Sequence, residues 1–574
     1  MCLGIGFLLI GASVYAQSTN ATLNEDYYHW VTRYEIKAGR IAPEIFTSVR
    51  PFKRKAIVEF VDSLNKKDQV FTSRADQFNY DYLRNDNWEW SRAETSNSRK
   101  PFLGMYKKKS DLAKVDVPDF DLHVSPVIYF GSGKDNRLNE SMYINSRGVE
   151  MRGMIDRKIG FYTFFTDNQM IMPAYAYNTM TLNNGYVVPH EGFWKTFKKS
   201  GVDFFQVRGY IDFNVSKHIY VQFGNDRTFI GNGFRSLIFS DYSPPNLFLR
   251  TNVKIWKINY LFQLNRLVAD PLGTAGGSTA NKNYSVKFMA FHHASINIGK
   301  KFNLGVFESV VFSPSDTINK NNLQLNYLNP IIFYRAVEQQ GGSPDNVLLG
   351  GDFKLNAFKK VSFYGQFVID EFVLKELKAG KGWWGNKFAL QGGLKYIDAF
   401  SVPNLDIQLE ANLVKPYTYS HDTQYSSYSN YYQPLAHPLG ANLYEGVAII
   451  RYQPLPKLNL IMKSFYTKIG RDTTGVNYGS DILKDNSTRS ALTPSGNKDY
   501  GHKIAEGISN IIKFGEFTAS YMIKHNLFID LKATIRMSSS PVKLNSFYTQ
   551  QYNTNSTISS VSLRWNIPAR TYDF

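Results

Sequence analysis

The sequence predicts an all-β fold: a transmembrane outer-membrane β-barrel of about 18 antiparallel strands with a small N-terminal periplasmic helical element. Three observations predict it. Segments of about ten residues alternate between apolar and polar side chains along most of the chain. Short and long connections between these segments largely alternate. An apolar export signal precedes them all.

Residues 405–413 show the alternation most clearly. Leu405, Ile407, Leu409, Ala411 and Leu413 share one face of a strand; Asp406, Gln408, Glu410 and Asn412 share the other. Phe205, Val207, Ile211 and Phe213 alternate in the same way with Gln206, Arg208, Tyr210 and Asp212, and Leu527, Ile529, Leu531 and Ile535 with Asp530, Lys532, Thr534 and Arg536. One apolar wall and one polar wall, repeated behind a signal, read as lipid outside and a polar lumen inside. The segments reach the roughly 9–11 residues that a membrane-spanning strand needs, whereas soluble strands are nearer five or six. A large soluble β-sandwich or propeller array is the competing fold. Around 305–313, Glu308 falls in the apolar register and leaves the faces of that strand unassigned.

Composition agrees. The 574 residues are 43% hydrophobic, yet the mean hydropathy is −0.32, as expected when half of each strand is polar. Aromatic residues, 15% of the chain, suit interfacial girdles. After the first sixteen residues no apolar run is long enough for a transmembrane helix. Residues 1–16 read as a signal peptide ending Val14-Tyr15-Ala16, although no Lys or Arg precedes the apolar run. The sole cysteine, Cys2, precedes that run, so lipidation is not expected, and cleavage after Ala16 leaves no thiol. The net charge of +18 points to anionic partners, acidic polysaccharide or lipopolysaccharide phosphates, or to basic turns and lumen. An exported chain of this kind leaves no role for nucleic acid.

Residues 17–115 read as the periplasmic helical element and 116–574 as the barrel. In 51–64, Phe52, Ala56, Ile57, Phe60, Val61 and Leu64 recur three and four apart, a helical stripe with Pro51 in its first turn. A second helix starts at Ser73, with Asp76 three positions on, and runs toward Trp90. The element could plug the lumen or only cover it. Short turns near 156–158, 216–217, 299–301, 357–360, 454–457 and 524–526 read as periplasmic, and long connections such as 227–245, 313–345, 415–440 and 470–511 as outer loops. The terminal Phe574, after the strand containing Val561, Leu563, Trp565 and Ile567, resembles the signal read by barrel-insertion machinery.

Enzyme signals are sparse, and no cofactor or metal is expected. His292 and His293 are adjacent on a strand and face opposite sides. Gly231-Asn232-Gly233 lacks the strand-to-helix context of a phosphate cradle. The inward acids Asp406, Glu410 and Asp530 could serve glycoside hydrolysis or pair with Arg208, Arg250, Lys354 and Arg536, the commoner outcome in a filled lumen. The long loops are more suggestive. Tyr417, Tyr419, Tyr425, Tyr428, Tyr431 and Tyr432 are interleaved with Ser, Asn, Asp and Gln, and Trp383-Trp384 lies between glycines. Sugar rings stack their C–H faces on aromatics and need amide or carboxylate partners for their hydroxyls. The alternative is that these side chains fold back on the barrel mouth or sit at the interface.

The segment 223–237, with Gly224-Asn225-Asp226-Arg227, Gly231-Asn232-Gly233 and Ser236-Leu237, leads to Pro244-Pro245-Asn246 and Arg250. It resembles the Gly-x-Asp-Arg…Gly-x-Gly…Ser-Leu segment of the Wzi-type capsule assembly proteins. Leu328-Asn329-Pro330 and 345–352 are similar to that family as well. Residues 121–126, 143–148 and 224–236 look closer still to a branch represented by the gliding-motility protein RemB. The resemblance implies a non-enzymatic, lectin-like outer-membrane barrel that binds and retains or assembles capsular or exopolysaccharide at the cell surface. A gliding-motility or adhesion component is the alternative, and a diffusive porin the third reading. Expected partners are acidic surface polysaccharide, outer-membrane lipid and lipopolysaccharide, barrel-insertion machinery, and polysaccharide-export or gliding components. The polysaccharide-binding candidates, taken from the motif and the loops, are Asp226, Arg227, Arg235, Arg250, Trp383, Trp384, Tyr417, Tyr419, Tyr428 and Tyr431. Asp226 is expected to orient the arginines by bidentate pairing.

Overall fold

The computed structural model describes residues 17–101, 104–182, 187–198, 200–270, 284–313, 325–331, 333–341, 345–472, 475–492, 496–540 and 552–574. Residues 1–16, expected to be a signal peptide, and residues 271–283, 314–324 and 541–551 lie outside them.

Eighteen long antiparallel strands, from Phe120–Asp135 to Thr554–Trp565, close into one barrel among the described residues. The first and last strands seal the ring, with Ile128 opposite Trp565 and Asp135 opposite Ile558. Two short strands, Ala113–Val117 and Lys195–Phe197, pair alongside. Burial inverts the pattern of a soluble sheet. In Leu405–Val414 the polar Asp406, Gln408, Glu410 and Asn412 are buried and Leu409 and Ala411 are exposed. In Gly201–Asn214, Gln206, Arg208 and Asp212 are buried, while Phe205, Val207, Ile211 and Phe213 are exposed. The barrel is of the outer-membrane type, apolar outside and polar within.

The connections sort by end. Tight turns such as Asp156 to Lys158 and Gly299 to Lys301 share one end with Gln17, bonded to the Arg157 carbonyl, and with the close of the last strand at Trp565, and the long loops share the other. The first end is periplasmic. Trp256, Phe358 and Phe400 stand exposed at its turns, where an interfacial aromatic belt is expected.

Among the described residues three helices longer than two turns precede the barrel. Helix α1 is Glu25–Ala38, α2 is Arg54–Lys67 and α3 is Arg74–Asp86. Ile57, Phe60, Val61 and Leu64 form the buried stripe of α2. Pro51 lies outside α2, three residues before it begins, and not in its first turn. Ser73 caps α3 in a full capping box with Asp76, and a short turn of helix follows at Trp88–Ser91. Helix α1 has no counterpart in the sequence reading. Arg33 and Glu35, both buried, interrupt its apolar pattern because they face partners in the lumen.

The lumen is filled from both ends. Helix α1 enters from the periplasmic side: Arg33 and His29 meet Asp406 of the wall, and Glu35 meets Lys354. Past it, Val49–Arg50 pairs with Phe229–Ile230 of the long loop 227–245. That loop descends from the outer end and packs Ile230, Leu237, Ile238 and Phe239 against Tyr419, Tyr428, Leu435 and Ala436 of the loop 415–442. The last nine residues also turn inward. Ile567 packs with Val127, Tyr162 and Tyr210, and Phe574 with Tyr175 and Tyr242. The strand end facing the wall is therefore Trp565; Phe574 lies inside, buried.

Several wall charges pair with the inserted segments, and others pair along the wall, such as Lys387 with Asp370 and Arg208 with Asp226. Lys354 meets Glu35, Asp406 meets Arg33, and Arg536 donates to the Phe574 carbonyl at 3.0 Å. Asp530 alone among the inward acids singled out above pairs along the wall, with Arg564 at 2.6 Å.

Candidate functional site: a basic cavity beneath a folded-in loop

Gly231 and Gly233 explain why the loop 227–245 reaches its depth. Gly231 has φ +129°, and a Cβ there would stand 2.2 Å from Nε2 of Gln366; a Cβ on Gly233 would stand 2.6 Å from Glu410. A side chain at either point would hold the loop off the opposite wall. Glu410 receives the backbone N–H groups of Phe234 (2.7 Å) and Arg235 (3.1 Å), and Gln366 receives that of Leu237 at 2.8 Å. Inward polar residues of the wall thus serve as docking points for the loop.

Arg235 is the anchor. Its guanidinium makes a two-bond pair with Glu445, at 3.2 and 3.0 Å, and reaches Asp573 of the tail at 3.2 Å. Arg227 is half-buried, donates to the Ser243 and His190 carbonyls and stands 3.4 Å from Glu191. Asp226 makes no bidentate pair with an arginine. Its Oδ1 accepts the backbone N–H of Arg227 at 2.8 Å and faces Arg208 at 3.7 Å, because the strand geometry turns the two neighbouring side chains apart. Arg250 points inward to neutral acceptors, Gln263 at 2.9 Å and Gln222 at 3.2 Å.

Between α1, this loop and the tail lies a cavity of about 250 Å³. Arg227 and Arg235 line it; Asp226 and Arg250 do not. Sequence reasoning missed most of its charge, which comes from Arg50, Arg208, Arg451, Arg570 and Lys395 against Glu25, Glu191, Asp241 and Asp573. The inward register of Arg208 and Arg451 was the available signal; Arg50 and Arg570 carry none. Burial and the Arg227 charge push the His190 imidazole down to about 4, so it is neutral at pH 7. Burial raises Glu25, but Lys463 and Arg451 outweigh it and hold the carboxyl at about 2.

The tyrosine loop does not form an open platform. Tyr417, Tyr419 and Tyr428 are fully buried, and their hydroxyls donate to the carbonyls of Asn477 (3.0 Å), Leu237 (2.7 Å) and Ile238 (2.8 Å). Their mixture of rings and hydrogen-bonding groups suits a lumen filler as well as a sugar platform. Tyr431 is half-buried, edge-on to Tyr284. Trp383 and Trp384 sit together at the outer rim, half-buried, with the Arg489 guanidinium 4.1 Å above the Trp384 ring. The ten candidates therefore separate into an inner set around Arg235, a buried tyrosine set, and a rim of Trp383, Trp384 and Tyr431. His292 and His293 do face opposite sides: His293 meets Asp352 in the lumen, at 2.5 Å, and His292 lies on the outer wall.

No protein-family model matches the sequence, and no curated protein matches it. Solved structures do match. Escherichia coli Wzi, described as an outer-membrane protein involved in group 1 capsule assembly and a carbohydrate-binding β-barrel, aligns at 12% identity and a TM-score of 0.54, over 96% of this chain and 100% of that one. Pseudomonas aeruginosa OccK7 (OpdD) aligns at 9% identity and a TM-score of 0.40, over 78% of this chain and 99% of that one. The chain is an outer-membrane β-barrel of the same overall fold as Wzi.

Proposed function

We propose that the chain is a non-enzymatic outer-membrane barrel that binds acidic polysaccharide at its outer face and retains or assembles it at the cell surface. The filled lumen carries this reading. Two long loops, α1 and the C-terminal tail occupy the space through which a porin would conduct. The rim leaves Trp383, Trp384 and Tyr431 partly open, with Arg489 over the Trp384 ring, the pairing of ring face and positive charge that an acidic sugar chain engages. The fold shared with Wzi supports the same reading, as do the segments around Asp226 and Arg227 that resemble the Wzi-type proteins. Lipopolysaccharide and barrel-insertion machinery are the further partners proposed.

The test is cell-bound against shed polysaccharide in a deletion strain, complemented with wild type or with Trp383→Ala/Trp384→Ala. Polysaccharide shed by the deletion strain with synthesis intact, restored by wild type and not by the double variant, supports the proposal. Normal retention in the deletion strain with impaired surface spreading refutes it and favours a RemB-like motility role.

A further inference from the structure

Glu308 stands on the outside of the barrel. In its strand, Phe302–Phe312, the odd-numbered Phe307 and Val311 pack in the lumen core, while the even-numbered Val306 is 55% exposed. Glu308 shares this outward face and sits 3.1 Å from Nε2 of the outward His292. A bare carboxylate facing lipid is unfavourable. Here it is covered.

The cover comes from the long loop before the strand Asn346–Ala357. A turn of helix, Leu325–Leu328, and a helix, Tyr334–Gly341, lie against the outer wall. Tyr327 and Tyr334 are buried against the outward side chains of Phe262, Ala290, Val310 and Phe312. The two carboxylate oxygens of Glu308 accept the backbone N–H groups of Tyr334 (2.9 Å) and Arg335 (2.8 Å), which open the helix and have no partner within it. Tyr334 stacks on His292 with ring centroids 4.5 Å apart, and the Tyr260 hydroxyl donates to the Pro330 carbonyl.

Depth follows from the register. Glu308 is six residues beyond Phe302, which begins the strand at the periplasmic end. A rise of about 3.3 Å per residue and a tilt of about 40° put it about 15 Å above that end. The apolar band of such barrels is about 25 Å tall, so the start of the helix lies well within it. The far end of the helix lies near Asn346, opposite Val311 at the top of the strand. Below the covered patch the same wall returns to exposed Leu304 and Val306. The segment's own surface changes with depth. Ile331 and Phe333, 82% and 76% exposed, lie just before the helix with exposed Leu328, Asn326 and Asn329, the last accepting the Ile331 N–H at 3.1 Å, whereas Gln339 and Gln340 are exposed toward its outer end. Arg335 pairs with Glu338 at 2.7 Å, one turn nearer the outer surface, so its charge reaches outward.

We propose that this segment is a re-entrant element within the bilayer. Leu328, Ile331 and Phe333 contact the acyl chains of the outer leaflet, and Glu308 caps the helix inside the membrane. Irregular backbone persists at that depth only where its polar groups find partners; Glu308 and Tyr260 provide them. The exposed side chains of Leu328, Ile331 and Phe333 continue the lipid-facing wall of Leu304 and Val306 below them, which names acyl chains as the occupant.

The test places nitroxide labels singly at Phe333→Cys, Val306→Cys and Lys381→Cys in the full chain carrying Cys2→Ser, reconstituted in liposomes. Collision with oxygen should exceed collision with a water-soluble nickel chelate at 333, as at 306, with the order reversed at 381. Nickel accessibility equal to or above that of oxygen at 333 overturns the proposal. Low accessibility to both at 333 assigns the tip to a protein contact, a second copy of the chain included, and also overturns it. Glu308→Gln should raise label mobility at 333 while heat-modifiability on gels reports a closed barrel; unchanged mobility removes the capping role.

Discussion

Replacing Arg235 with Met should unlatch the loop 227–245. The guanidinium is 5% exposed and bonds Glu445 and Asp573 at once, joining loop, wall and C-terminal tail. Met puts an uncharged side chain of similar length beside the Phe234 and Phe465 rings that the guanidinium now covers, but strands two carboxylates. Glu445 retains His437 at 2.9 Å and Asn412 at 3.0 Å; Asp573 retains only Lys463, at 4.0 Å, as an ion-pair partner among the described residues. Breaking one side of a buried ion pair costs about 3–5 kcal/mol. At about 1.4 kcal/mol per decade, that shifts the equilibrium between latched and released loop by two to nearly four decades. Single-channel recording in planar bilayers reads this directly: wild type should be silent, and Arg235→Met should show intermittent openings. Adding Glu445→Gln removes a stranded charge and should recover part of the closure. A single variant as silent as wild type and equally resistant to urea would refute the reasoning, as would a double variant no better closed than the single one.

Two other outcomes are expected. Burial, then the nearby Arg451, push His29 on α1 down to about 4 from 6.5 despite its contact with Asp406. Its folded-state value is lowered, so the stabilisation, about 3 kcal/mol, is fully present above pH 6.5 and lost as pH falls toward 4; Glu25 extends the loss from 4.5 toward 2. Protection of the Glu25–Ala38 amides, measured as exchange relative to the intrinsic rate at each pH, should fall over that range, and His29→Gln should flatten the upper part; pH-independent protection would count against the assignment. Tyr419→Phe should cost about 0.5–1.5 kcal/mol, through the lost bond to the Leu237 carbonyl, without changing polysaccharide binding. Lost binding in a folded Tyr419→Phe barrel would place that ring on the ligand surface after all.

The barrel was legible because a period of two is written locally, residue by residue, and survives in segments such as 405–413 even without knowledge of their partners. The Ser73–Asp76 cap was legible for the same reason. What the lumen holds was not. Arg33 and Glu35 make α1 look irregular until Asp406 and Lys354 are placed beside them, and those partners lie hundreds of residues away. Glu308 broke the strand pattern because its partners, the N–H groups of Tyr334 and Arg335, come from a loop. The tyrosines of 417–432 mislead in a different way: a ring with a hydroxyl satisfies a buried carbonyl as readily as it stacks on a sugar. Of the ten candidates, the motif residues Arg227 and Arg235 reach one cavity, which sequence proximity suggested. Arg50, Arg451 and Arg570 complete it from three distant segments.

The plug touches the wall at widely separated points. Glu35 bonds Lys354, Arg33 bonds Asp406, Glu25 bonds Lys463, and Asp26 lies 4.0 Å from Arg564 of the final strand. A one-residue slip between two strands turns every inward side chain outward, and each such slip would cancel one of these contacts. Residues 25–35 therefore act as a gauge laid across the sheet. They seat fully only when strands from the middle of the chain to its last have paired in register, so a misassembled barrel is also an unplugged one.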